Sequence, residues 1–197
     1  MNAVGRVAMW SGPRNISTAM MRAFENRPDT VVVDEPLYAA YLDRTGLDHP
    51  VREEVIASQP TDLAEAVAGL SASLPPGRSV HYVKHMSHHV PRDMDLTWTL
   101  RFRNVLLIRD PAEVVASYVR ARESCEPEDI GIPQQGRLMD LWDEHGHEVP
   151  IIDAGEFLRA PEPHLRRLCD WLSRKTSTAS GTDRCSPFQN TATTSRT

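Results

Sequence analysis

In the segment MWSGPRNISTAM, Met9 to Met20, a short apolar run meets Gly-Pro, then a basic residue, then a Ser-Thr pair. Gly5 to Trp10 suit a buried strand, and Asn15 to Asn26 follow helical spacing with Ile16, Met20 and Phe24 on one side. The order is strand, glycine turn, helix. A helix N-terminus behind a tight turn offers unpaired backbone N–H groups and the positive end of a helix dipole, a combination that holds anions. Gly12 supplies the turn, Arg14 a permanent charge, and Ser17 and Thr18 hydroxyl donors in the first helical turn. The alternative is a plain turn capped by Asn15 or Ser17. Against the ATPase pattern G-x-x-x-x-G-K-[ST], Gly12 is followed at the matching places by Ser17, Thr18 and Ala19, so the second glycine and the phosphate lysine are missing.

The same unit recurs along the chain. Val31 to Val33 form a β-branched strand, and Pro36 favours a first helical turn after Asp34 or Glu35. The run DLAEAVAGLSASL fits a helix ended by PPG. SVHYVKHMSHHVP predicts a strand ending at Lys84 that releases His85, His88 and His89 into a loop. Val105 to Ile108 form a strand feeding a helix from about Pro111, and Val149 to Ile152 form another, followed by a helix that faces Leu165, Leu168, Cys169 and Leu172 inward. Strands alternating with helices predict an α/β fold: a three-layer domain with a mainly parallel central sheet, helices on both faces, and a ligand site at the carboxyl ends of the strands.

The 197 residues suit one such domain, set at 1–172. From 173 to 197 about half the residues are Ser or Thr and apolar periodicity stops, which predicts a disordered tail. So abrupt a shift also fits a truncation or a reading-frame change. The hydrophobic fraction of 40% and the charged fraction of 25% are those of a globular protein, and no apolar run reaches the roughly 20 residues of a membrane span. The N-terminal apolar run is too short for a secretory signal, so the expectation is a cytoplasmic protein with a mature start near Met1. Cys125, Cys169 and Cys185 are odd in number, widely spaced and read as free thiols. A formal net charge of -5 argues against a nucleic-acid partner.

Pro13-Arg14-Asn15-Ile16-Ser17-Thr18 resembles the 5'-phosphosulfate loop P-[RK]-S-G-T-T of the PAPS-dependent sulfotransferases, keeping the proline, the basic residue and the final hydroxyl pair. LLIRDPAEVVASY is similar to that family's second signature, a strand ending in arginine with a serine eight positions later, here Arg109 and Ser117. The resemblance runs from about Val7 to Leu172 and implies that the three-layer fold is a P-loop-like domain. It implies that Gly12, Pro13, Arg14, Asn15, Ile16, Ser17 and Thr18 hold the 5'-phosphosulfate of PAPS, and that Arg109 and Ser117 hold its 3'-phosphate. The other reading pairs Arg109 with Asp110 or Glu113. VKHMSHH meets the family pattern K-T-H imperfectly: Lys84 matches the lysine, while the base falls to His85 or His88, with His88 preferred.

The chemistry fits those residue types. An acceptor oxygen attacking sulfur in line must lose its proton, a task suited to a histidine of ordinary pKa near 6.5. Arg14 and Lys84 would offset the charge on the leaving phosphate. No metal is expected, and the three histidines lack a nearby carboxylate or thiol partner for zinc. Glu35 either orients an acceptor or a basic residue, or caps a helix. DAGEFLRAPEPHLRRLCDWL resembles the family's late strand and following segment, which implies a structural rather than a chemical place for Asp153. The implied activity is sulfuryl transfer from PAPS to a hydroxyl or amine of a small molecule. The alternatives are a P-loop nucleotide kinase or phosphotransferase and a truncated, non-catalytic nucleotide-binding relative.

Overall fold

The computed structural model describes residues 5–120 and 124–173. Five strands form one sheet: β1 (Gly5–Ser11), β2 (Thr30–Asp34), β3 (Val80–Met86), β4 (Arg103–Ile108) and β5 (Ile151–Asp153). Their spatial order is β2-β3-β1-β4-β5, and every neighbouring pair is parallel. A parallel sheet must be covered on both faces, and the period-2 alternation along each strand sorts side chains between two cores. Ala8, Trp10, Val83 and Leu106 face one core with Leu37, Ala66, Leu138 and Trp142. Val7, Met9, Tyr82, Val105 and Leu107 face the other with Met20, Phe24, Leu168 and Trp171.

The helices follow from the same patterning. On one face lie α1 (Ser17–Glu25), α7 (Ala154–Arg159) and α8 (Pro161–Ser173). On the other lie α2 (Tyr38–Thr45), α4 (Leu63–Gly69) and α6 (Ile132–Glu144). The remaining α-helices among the described residues are α3 (Arg52–Ser58) and α5 (Pro111–Tyr118). The three-layer α/β architecture expected from the sequence is therefore present. α8 runs one residue past the expected domain edge, to Ser173, and the disordered-tail expectation for the residues beyond falls outside the described residues.

Three local differences stand out, the first two with a physical cause. First, α1 begins at Ser17 rather than Asn15, because the Asn15 side chain accepts from the Ile16 N–H (2.8 Å) and donates to the Leu107 carbonyl (3.1 Å), fixing those residues in the loop. Second, β3 continues beyond Lys84 to Met86. β1 is long enough to pair with it throughout, matching Trp10 with His85 and Ser11 with Met86. His85 is therefore a strand residue rather than a loop residue. Third, α6 is absent from the sequence-based reading, although Pro133 at its first turn and Leu138 and Trp142 at i, i+4 spacing mark it.

Among the described residues, no helix is long and apolar enough to cross a membrane. Cys125 and Cys169 are free thiols, and Cys185 lies outside the described residues.

Candidate functional site

The chain leaves β1 toward β2 on one side of the sheet and leaves β4 toward β5 on the other. The carboxyl ends of β1 and β4 therefore flank a topological switch point, where open α/β sheets form a crevice. The loop Gly12 to Ile16 follows β1, and Arg109 follows β4, so both sequence motifs meet there.

Side-chain bonds tie the two together. Arg14 Nε donates to Ser117 Oγ at 2.8 Å, and Arg109 Nη1 donates to the Arg14 carbonyl at 2.7 Å. Arg14 has φ 58°, a left-handed backbone that costs a non-glycine residue about 1–2 kcal/mol. The bond from Arg109 holds the carbonyl of that strained residue. Arg109 also pairs with Glu113, Nη2 to Oε2 at 2.9 Å, one of the two partners that the structural reading of this arginine named. Asp110 instead caps α5, accepting from the Ala112 N–H at 2.8 Å.

Ser17 is buried and Thr18 exposed in the first turn of α1. No side chain caps that helix, so its first N–H groups have no partner within the helix and point toward the loop. Gly12 has a different duty from the turn expected of it. A Cβ at this position would sit 2.5 Å from the Ile130 carbonyl oxygen, so glycine is required by the close approach of the segment before α6. Pro13 borders the neighbouring cleft.

That cleft has a volume of about 1070 Å³ and opens beside the loop. Glu35, Met86, His88 and His89 line it at the carboxyl ends of β2 and β3, and Tyr38 and Tyr41 line it from α2. Lys84 stands behind Glu35 and is 3% exposed. Its Nζ donates to Asp34 Oδ1 at 2.8 Å and to Glu35 Oε1 at 2.5 Å. Burial opposes the ammonium's charge, but the hydrogen bonds and attraction of the two carboxylates outweigh it and raise the Lys84 pKa. Glu35 has φ 47°, the second strained backbone beside this crevice.

The three histidines have different surroundings. His85 is 1% exposed; its ring stacks on Trp10 at 4.1 Å and tilts against Trp98 at 5.5 Å. Complete burial pushes its pKa down to about 3, so it is neutral at physiological pH. It belongs to the aromatic core and has no access to the cleft. His89 is 2% exposed and lies between the rings of Tyr38 and Tyr41; burial, with repulsion from His88 and Lys84, holds its pKa well below the ordinary value. His88 is half-buried on the cleft wall, edge-on to Tyr41 at 5.5 Å. Among the described residues, no three His, Cys, Asp or Glu side chains converge as a metal would require.

The structure thus brings Gly12 to Thr18, Arg109 and Ser117 to one crevice, with His88 on the adjoining wall. It sets Lys84 in a carboxylate clasp and His85 in the core. Asp153, expected to be structural, caps α7 by accepting from the Glu156 N–H at 2.9 Å. The sequence reading missed Tyr38, Tyr41 and the Gly12–Ile130 contact. The tyrosines carried a signal, an i, i+3 pair on a helix that opens at the carboxyl end of a strand.

Fold and crevice together define a three-layer, P-loop-like α/β domain. More narrowly, the chain belongs to the sulfotransferase domain family, whose model matches residues 5–179. It is 33% identical over 166 residues to branched-chain-amino-acid aminotransferase-like protein 2 of Arabidopsis thaliana, and 34% identical over 169 residues to protein 1 of that name. Each alignment covers 83% of this chain, yet the chain spans only 29% of the length of these relatives. Among solved structures, a sulfotransferase domain from the curacin biosynthetic pathway superposes with TM-score 0.53 at 14% identity, covering 90% of this chain and 77% of that one. A sulfotransferase from Alicyclobacillus acidocaldarius gives TM-score 0.52 at 15% identity, covering 94% and 87%. At these identities the likeness is one of fold.

Proposed function

We propose that this domain transfers a sulfuryl group from PAPS to a hydroxyl or amine of a small molecule bound in the cleft. The observation that carries the reading is the chain of contacts Arg109–Arg14–Ser117, which joins the two cofactor motifs at the switch point above the uncapped start of α1. In this reading the loop from Gly12 to Thr18 receives the 5'-phosphosulfate on backbone N–H groups and the Ser17 and Thr18 hydroxyls. Arg109 and Ser117 receive the 3'-phosphate. Glu113 competes for Arg109 and would have to yield part of its pairing.

His88 serves as the base. It accepts the acceptor's proton as the new O–S (or N–S) bond forms, and the bond from sulfur to the 5'-phosphate oxygen breaks with its electron pair leaving on adenosine 3',5'-bisphosphate, PAP. Arg14 is exposed beside that position and offsets the charge on the leaving oxygen. His85 is removed from this role by its stacking in the core. Lys84 acts at one remove, holding Glu35 rather than meeting phosphate directly.

A specific observation favours a second reading of the base. Glu35 lines the cleft on a strained backbone, with one carboxylate oxygen fixed by Lys84, which suits it to orient or deprotonate an acceptor. Transfer of labelled sulfate from PAPS to a panel of alcohols and amines tests the proposal, with His88→Gln and Glu35→Gln separating the two bases. Turnover of magnesium-ATP with no sulfate transfer would replace it with the kinase reading. PAP binding without transfer to any acceptor would leave the non-catalytic relative.

A further inference from the structure

Resting on the sulfotransferase reading, we propose that the Tyr38–His89–Tyr41 wall of the cleft selects an aryl alcohol as acceptor. The acceptor's ring lies against the tyrosines and its hydroxyl reaches His88. The wall is a preformed ring stack: His89 lies 4.7 Å from Tyr38 at an interplanar angle of 6°, and 4.8 Å from Tyr41 at 27°. His88 stands across its end, 4.3 Å from His89 and 5.5 Å from Tyr41, near perpendicular to the latter.

Two contacts keep the stack in place. Tyr38 OH bonds His49 Nδ1 at 2.7 Å, and the His49 ring meets the Tyr38 ring edge-on at 5.7 Å. Leu42, Leu47 and Met86 continue the same lining with apolar surface. A contrast inside the molecule gives the stack its meaning. The Trp10–His85–Trp98 group is an aromatic cluster sealed in the core, whereas Tyr38 and Tyr41 border open space beside the donor loop. His89 Nδ1 adds a buried polar atom on this wall with no hydrogen-bond partner among the described residues.

Rigid, stacked rings favour a flat aromatic ligand over a saturated one of equal size, because face and edge contacts add to area burial. The test uses the full chain saturated with PAP, titrated calorimetrically with 2-naphthol and with decahydro-2-naphthol. The expected result is binding of 2-naphthol about tenfold tighter than its saturated analogue. In Tyr38→Leu/Tyr41→Leu that preference disappears while PAP affinity stays within about twofold, and in Tyr38→Phe/Tyr41→Phe it persists. Saturation-transfer NMR on the unsubstituted chain is the check that needs no variant, with tyrosine-ring irradiation reaching naphthol protons. Equal affinities, binding of neither alcohol, or a preference that survives the leucine pair would overturn the inference. A chain that binds no PAP instead removes the sulfotransferase reading beneath it.

Discussion

Arg109 donates through Nη1 to the carbonyl of Arg14, 2.7 Å away, and so couples the end of β4 to the loop that follows β1. Arg14 completes the link by donating to Ser117 on α5. Arg109→Ala removes a charged donor from this frame, and a charge-assisted hydrogen bond is worth about 1.5–3 kcal/mol. The expected outcome is a PAP dissociation constant raised by about tenfold or more in isothermal titration. Ser117→Ala, which removes a neutral hydroxyl, raises it by less. Unchanged PAP affinity in Arg109→Ala would remove this residue from the donor site.

Gly12→Ala tests packing rather than charge. The added Cβ would meet the Ile130 carbonyl oxygen at 2.5 Å, a backbone atom that cannot rotate away. Overpacking of this kind costs about 1–3 kcal/mol. Urea denaturation is expected to give a lower midpoint with an unchanged slope. A midpoint equal to that of the unsubstituted chain would mean that the Ile130 segment shifts at no cost.

The buried histidines predict acid sensitivity. His85 has a folded pKa of about 3, below its unfolded value near 6.5. Its contribution is fully present above pH 6.5 and is lost as pH falls toward 3. Replacing His85 by Phe keeps a flat ring against Trp10 and removes the titration. Between pH 7 and pH 5 the unsubstituted chain should lose about 2 kcal/mol more stability than His85→Phe. Equal losses in paired urea titrations at the two pH values would contradict the burial of a neutral imidazole.

Lys84 responds at the opposite end of the pH scale. Its folded pKa is raised, so its pairing stabilises the fold fully below the ordinary lysine value and is lost as pH rises through the folded value. Lys84→Met frees Glu35 and Asp34 from their clasp. It should lower acceptor turnover while leaving PAP affinity within about twofold, since the ammonium is bound to carboxylates. A large loss of PAP affinity would return Lys84 to the phosphate.

Much of this fold is written in local pattern. β-branched or apolar blocks such as Val31 to Val33 and Val105 to Ile108 become strands because both faces of a parallel sheet are buried. The placing of the Gly12 to Thr18 loop and of Arg109 at strand ends, and of Ser117 on the helix that follows, was also readable, because each depends on a few residues adjacent in sequence. The fate of the histidines was not readable. Whether His85 enters a loop or a core depends on its register partner Trp10, 75 residues earlier, and on Trp98 packing beyond it. The Lys84 clasp depends likewise on β2 lying beside β3, which brings Asp34 and Glu35 to the end of the same ladder. The role of Gly12 is set by a carbonyl on a segment more than a hundred residues later.

The most direct test of the central claim is a calorimetric comparison of PAP with ADP and magnesium-ATP on the full chain. PAP differs from ADP in carrying a 3'-phosphate, the group assigned to Arg109 and Ser117, and in lacking the β-phosphate. The account predicts that PAP binds at least about tenfold tighter than ADP and that Arg109→Ala erases most of the difference. Tight binding of magnesium-ATP with no measurable affinity for PAP would contradict it.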